Sequence, residues 1–290
     1  MTAGTSSRCG SIAAMLILGL TGCDAADQLS AYTPAVVHPV VVPAADYEFP
    51  VEWAGDYTFQ WSAAAGIDLS DTEAAVVRAF AESMQLARSV GARLAYPGYA
   101  DAIPDGQGLR VPDGGAYPPG AALGDWEQRW SGTFRARIME IRPAATGFTA
   151  AYCVDDTDVA GSNDAGATFV WRQDRLGEPP RGIPMSLSVR SVTGTDHTDQ
   201  PAGERGTIGP YRAPKFNVFE GWIIAEVQRQ SARTDEGLAV IEGCTAWTQA
   251  NAHVNPAYLP DTPRRVPATP PPESAPPTPG WGSDPADDGG

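Results

Sequence analysis

The sequence predicts an α+β domain: an N-terminal helix packed on a curved antiparallel sheet of five or six strands. Two observations carry this. Residues 72–91 repeat apolar side chains at intervals of three and four, the period of one helix face. Segments after residue 133 alternate apolar and polar side chains and are joined by short links, the pattern of paired strands. Pro-rich stretches bracket this region on both sides.

The chain opens with an apolar run at residues 12–20 that ends in Thr21, Gly22 and Cys23, with Arg8 as the one charge before it. Basic start, short apolar run and small residues make the layout of a secretory signal, and the run is short of the about 20 residues a bilayer requires. Leu20-Thr21-Gly22-Cys23 resembles the bacterial lipobox. That resemblance implies cleavage before Cys23 and a lipid on its thiol, and two acyl chains on one residue suffice for stable anchoring. An ordinary signal with an incidental cysteine is the alternative. Residues 1–22 are thus a signal peptide, and 23–46, broken by Pro34, Pro39 and Pro43, a disordered spacer.

The domain is expected over residues 47–258. Ser70 and Glu73 have the spacing of a capping box before the helix, and Val76, Val77, Phe80, Met84 and Ala87 form its apolar stripe, with Arg78, Glu82 and Arg88 elsewhere. Gly91 suits the position just past its end. The strands follow at residues 133–141, with Phe134, Ala136 and Ile138 on one face, and at 148–154, with Phe148, Ala150, Tyr152 and Val154 together. Residues 167–172, 185–192 and 218–228 give three more, and 244–249 a possible sixth. From residue 259 to 290 prolines dominate and aliphatic residues nearly vanish, the composition of a disordered tail.

Composition excludes some partners. The chain has a formal net charge of −15, so it repels nucleic acid phosphates and anionic headgroups, and only a lipid on Cys23 would hold it to a membrane. Cys9 leaves with the signal and Cys23 takes the lipid. Cys153 and Cys244 remain, an even pair read as one disulfide in an oxidising compartment. Two separate buried thiols and a nucleophilic thiol are the alternatives.

The helix followed by antiparallel strands, with Tyr96-Pro97-Gly98-Tyr99 between them, resembles the nuclear transport factor 2-like (cystatin-like) cone fold. The stretches WSGTFRARI, GFTAAYC, FVWR, NVFEGW and CTAW are similar to those of actinobacterial cell-envelope lipoproteins. The cone-fold resemblance implies a pocket near Tyr96, Tyr99 and Asp101, and its isomerase and cyclase members would make Asp101 a general base. A packed turn with an exposed acid is the plainer reading.

Other chemistry finds little support. His38, His197 and His253 share no motif, and neither HExxH, a phosphate-binding glycine loop nor GxSxG is present. Asp156, Asp158 and Gly161 fit early positions of a calcium loop, but Ala160 and Ala167 stand where ligands are required. Arg135 and Arg137 share a face with Thr133, either a solvated sheet face or an anion site. No metal, cofactor or nucleic acid is expected, and catalytic residues are not identified. The expected protein is extracytoplasmic and lipid-anchored through Cys23. Its non-catalytic domain would bind a small apolar ligand or an envelope protein. A cone-fold enzyme using Asp101 and a structural envelope protein are the alternatives.

Overall fold

Seven strands form one curved, unclosed, mainly antiparallel sheet among the residues described by this computed structural model, which are 44–103, 128–171, 182–192, 208–251 and 266–282. All belong to the unit Val40–Gly290. The signal segment, Cys23, His38, His197, His253, Trp126 and the Pro/Gly stretch 104–127 lie outside the described residues. Among the described residues no helix is long and apolar enough to cross a membrane.

The spine of the sheet is β2 (Arg129–Ala144). Its second half pairs with β3 (Gly147–Asp155) through a hairpin whose ends are Ala144 and Gly147. Its first residues pair with β4 (Val159–Ser162), so β3 and β4 follow one another along the same edge. The short β5 (Val170–Trp171) pairs with β4, while β6 (Ile183–Ser191) and then β7 (Trp222–Arg229) extend the sheet beyond β3. Register shifts at Ile138/Glu140 and Ser188/Val189 mark bulges, which increase local twist and bend the sheet.

Two elements correct the expected count. A further strand, β1 (Tyr57–Ala63), runs parallel to β2 on its opposite edge, from Tyr57↔Gly132 to Ala63↔Ile138. Parallel neighbours require a crossover, and the long helix between them supplies it. Residues 244–249, read as a possible sixth strand, are helical within α4 (Asp235–Ala250). The physical reason lies upstream. Thr234 caps that helix by accepting from the Gly237 amide at 3.0 Å, and Asp235 and Glu236 follow in the first turn. Two single-turn helices, α1 (Val51–Ala54) and α3 (Tyr99–Ala102), flank the long α2 (Thr72–Val90).

The predicted helix is α2, with differences. The Ser70 capping box does not form: Asp71 stands at the N-cap, and both the amide and the hydroxyl of Ser70 donate to Asp68 Oδ1. Gly91 does end the helix, donating its amide to the Ala87 carbonyl at φ +79°. The stripe is wider than expected. Met84 is half-buried, whereas Arg78 and Glu82 are buried with Val76, Val77 and Phe80. A helix buried nearly all round is central to its domain, covered by the sheet on one side and by something else on the other.

That cover is the Pro-rich segment. Residues 266–282, read from composition as part of a disordered tail, lie on the domain. They begin beside β5, where Trp171 donates to the Val266 carbonyl, and end beside β1, where Thr278 and the Phe59–Trp61 backbone exchange hydrogen bonds. Trp281 is 1% exposed in the core. Residues 259–265 and 283–290 lie outside the described residues.

On the sheet's inner face Phe134, Ala136, Ile138, Phe148, Ala150 and Tyr152 are buried together, as the alternation predicts. On the other face lies α4, joined to β3 by the Cys153–Cys244 disulfide with a Cα–Cα distance of 5.5 Å. The disulfide expected from the cysteine count is therefore present. Gly182 backs it: a methyl there would fall onto both sulfurs and onto Thr248 Oγ1.

Candidate functional site

The structure separates the three residues of the expected pocket. Tyr96 and Tyr99 are buried, and Asp101 is exposed on α3. The turn between the tyrosines relies on Gly98, whose φ is +80° and whose missing Cβ leaves room for the Asn217 side chain. The Tyr99 ring packs between Phe80 and Phe219, with centroids 6.0 and 5.8 Å away. Asp101, exposed on α3, has no described hydrogen bond to either tyrosine.

Tyr96 instead leads to Glu82, which sequence reasoning placed outside the helix stripe. Glu82 is 4% exposed and accepts three hydrogen bonds from three distant parts of the chain. Trp61 Nε1 of β1 donates to Oε1 at 2.7 Å. The Tyr96 hydroxyl and Trp281 Nε1 each donate to Oε2 at 2.8 Å. Burial pushes the carboxyl above its ordinary range, opposed first by the charge of Arg78 and then by these donors. The Tyr96 hydroxyl has a second acceptor, the Arg212 carbonyl at 3.1 Å, and burial also raises its pKa.

Arg78, one turn earlier on α2, completes the cluster. Its guanidinium lies 4.2 Å from the Trp281 ring centroid and donates to the Pro279 carbonyl at 2.9 Å, the Gly280 carbonyl at 3.1 Å and the Leu69 carbonyl at 3.2 Å. Desolvation lowers its pKa, and Glu82 opposes that. Arg78 and Glu82 hold Trp281 between them, one over the ring face and one at the indole N–H. The hydrogen bonds of Arg78, Glu82, Tyr96 and Trp281 described here run to other parts of this chain. The arrangement suits retention of a segment rather than proton transfer to a substrate.

The rest of the segment is held through its main chain. Ser131 Oγ donates to the Pro272 carbonyl at 2.8 Å, Thr58 Oγ1 to the Ala275 carbonyl at 2.6 Å, and the Ala275 amide to Thr133 Oγ1 at 2.9 Å. Ser274 reaches Asp56 at 2.9 Å, and Tyr211 and Trp281 exchange backbone hydrogen bonds at 2.9 and 2.8 Å. Prolines have no N–H, so a body that presents hydroxyls and amides to carbonyls is matched to such a segment.

The remaining candidates resolve into structural roles. Arg135 pairs with Asp155 at 2.8 Å and Asp158 at 3.3 Å, and donates to Thr157 Oγ1 at 3.0 Å and to the Asn251 carbonyl just past α4. It ties the end of α4 to the β3–β4 turn. Asp155 is buried, which raises its carboxyl pKa against the pull of Arg135. Asp164 is bound by Ser162 and Thr168, which lower it to about 2. No group of three or more metal-ligating side chains occurs among the described residues. Of the tryptophans, Trp130 and Trp222 are core, and Trp171 and Trp247 are half-buried.

Sequence reasoning missed Glu82, Arg78, Trp61 and Trp281. One signal for Trp281 was available: it is a single large aromatic in a stretch otherwise of proline and small or polar residues. No protein-family model, curated protein or solved structure matches the chain.

Proposed function

We propose that this chain is a lipid-anchored extracytoplasmic protein whose domain works by binding a partner protein and not by catalysis. One observation carries the choice of ligand class. The region around Tyr96, where a cone fold would open a pocket, is filled by this chain's own Trp281, Glu82 and Arg78. A filled interior leaves the surface as the working part. We read the fold as a nuclear transport factor 2-like cone with its mouth closed by residues 266–282. The Cys153–Cys244 disulfide fits an oxidising compartment, and the lipobox-like Leu20-Thr21-Gly22-Cys23 supplies the route to the membrane.

Two measurements test this. Expressed with its signal in a lipoprotein-processing host, the chain should partition to the membrane fraction and carry the lipid mass at Cys23. Cys23→Ala should release it, and unchanged membrane partition of that variant sinks the anchor. Native mass spectrometry of residues 24–290 from the native host should show no bound small molecule. A co-purifying apolar compound would replace the partner-protein reading with a carrier one. Asp101→Asn should leave partner capture intact.

A further inference from the structure

We infer that the surface holding residues 266–282 also operates between copies of this chain: the Pro-rich segment of one molecule seats on β1, β2 and α2 of another. The segment behaves as a ligand of the body. Seven of its seventeen residues are prolines and lack an N–H, and its described hydrogen bonds run chiefly to residues 56–61, Arg78, Glu82, 131–133 and 209–211.

Recognition has the parts of a peptide site. At one end the segment bridges to β5 through Val170↔Pro267, and at the other to β1 through Gln60↔Thr278. Adding a segment to exposed sheet edges is a common way for one chain to bind another. Between the ends, hydroxyls of Thr58, Ser131 and Thr133 meet its main chain. One side chain anchors it: Trp281, fully inserted between Arg78 and Glu82. Interfaces are commonly dominated by such a single aromatic anchor.

Geometry and entropy make the exchange accessible. Residues 252–265 connect α4 to the segment. Extended, fourteen residues reach about 45–50 Å, comparable to the width of a domain of this size. Prolines fix φ before docking, so little backbone freedom is lost when the segment seats. In dilute solution the segment of the same chain wins, because a tether raises its effective concentration to about the millimolar range. Crowding the chains together favours exchange.

The test uses the soluble chain 24–290, so its outcome is separate from that of the anchor reading. Trp281→Ala leaves the receiving surface intact and removes the chain's own anchor. A fluorescein-labelled peptide of residues 266–282 should bind this variant saturably and one to one. The same peptide with Trp281→Ala should bind at least about 30-fold more weakly, the loss expected of an aromatic anchor. Wild-type chain, its site occupied, should bind the peptide weakly. Absence of binding by folded Trp281→Ala chain overturns the inference. If that variant is unfolded by circular dichroism, wild-type chain cut once at a protease site placed within 252–265 takes its place. Exchange of its resident segment for labelled peptide supports the inference, and retention or unfolding overturns it. Finally, concentrated light and heavy-isotope wild-type chains should give mixed dimers by native mass spectrometry that Trp281→Ala abolishes. Peptide binding without such dimers overturns exchange between copies.

Discussion

The indole N–H of Trp281 donates to Glu82 Oε2 at 2.8 Å across 199 residues of chain. This bond joins the end of a Pro-rich segment to the centre of the most buried helix. It makes residues 266–282 part of the fold's stability, with consequences that can be measured.

Trp281→Ala should cost about 3–5 kcal/mol, the usual range for deleting a buried large aromatic. For a domain of this size that lowers Tm by roughly 6–20 °C. Calorimetry of residues 24–290 checks it. A Tm within a degree of wild type would show that the ring contributes nothing to the core.

Glu82→Gln puts an amide N–H₂ among three donors, so a loss of about 1–3 kcal/mol is expected from the hydrogen bonds that it cannot accept. Its pH dependence has a definite sign. Burial raises the Glu82 carboxyl above 4.5, so the folded chain holds that proton more tightly than the unfolded chain. The stabilisation from protonation is complete below the unfolded value and is lost as pH rises through the folded one. The wild-type advantage in Tm over Glu82→Gln should therefore be largest in acid and shrink as pH rises. A difference that grows with pH would reverse the assignment.

Replacing Cys153 and Cys244 together by Ser should destabilise by about 4–5 kcal/mol in the chain-entropy model, for a separation of 91 residues. The loss should fall first on α4. That helix buries only Gly237, Cys244 and Thr248, and Leu238 is exposed. Hydrogen exchange should show α4 amides losing protection while β2 and β3 keep theirs. Uniform loss across both would show that the helix and sheet open as one unit.

Gly182→Ala should impair the same bond, because the added methyl has no place beside the two sulfurs. Thiol titration of the purified variant should find free cysteine or a much reduced Tm. Full oxidation with unchanged Tm would mean that the β6 edge shifts freely.

The alternation that placed Phe134 and Tyr152 inward was legible because those strands have one apolar face each. Strand β1 had the same signal in Tyr57, Phe59 and Trp61, but it is seven residues long and was isolated from the others by the helix. Helix α4 was obscured by Thr245, Trp247 and Thr248, residues that favour strands, while its Thr234 cap lay well upstream. Composition says that residues 266–282 cannot bury a core of their own, which is true. It does not say that they complete another's. The same limit hid Glu82: on a helical wheel it is an off-stripe charge, and only the arrival of Trp61, Tyr96 and Trp281 from elsewhere makes it an interior group.

Both sulfurs of the disulfide are completely shielded from water. Thiol–disulfide exchange requires a reductant's thiolate to approach a sulfur directly. Here the path is covered by α4, and α4 is kept down by the bond itself. Loss of the staple under reducing conditions should therefore follow the rate at which the domain opens, and adding more reductant should cease to accelerate it.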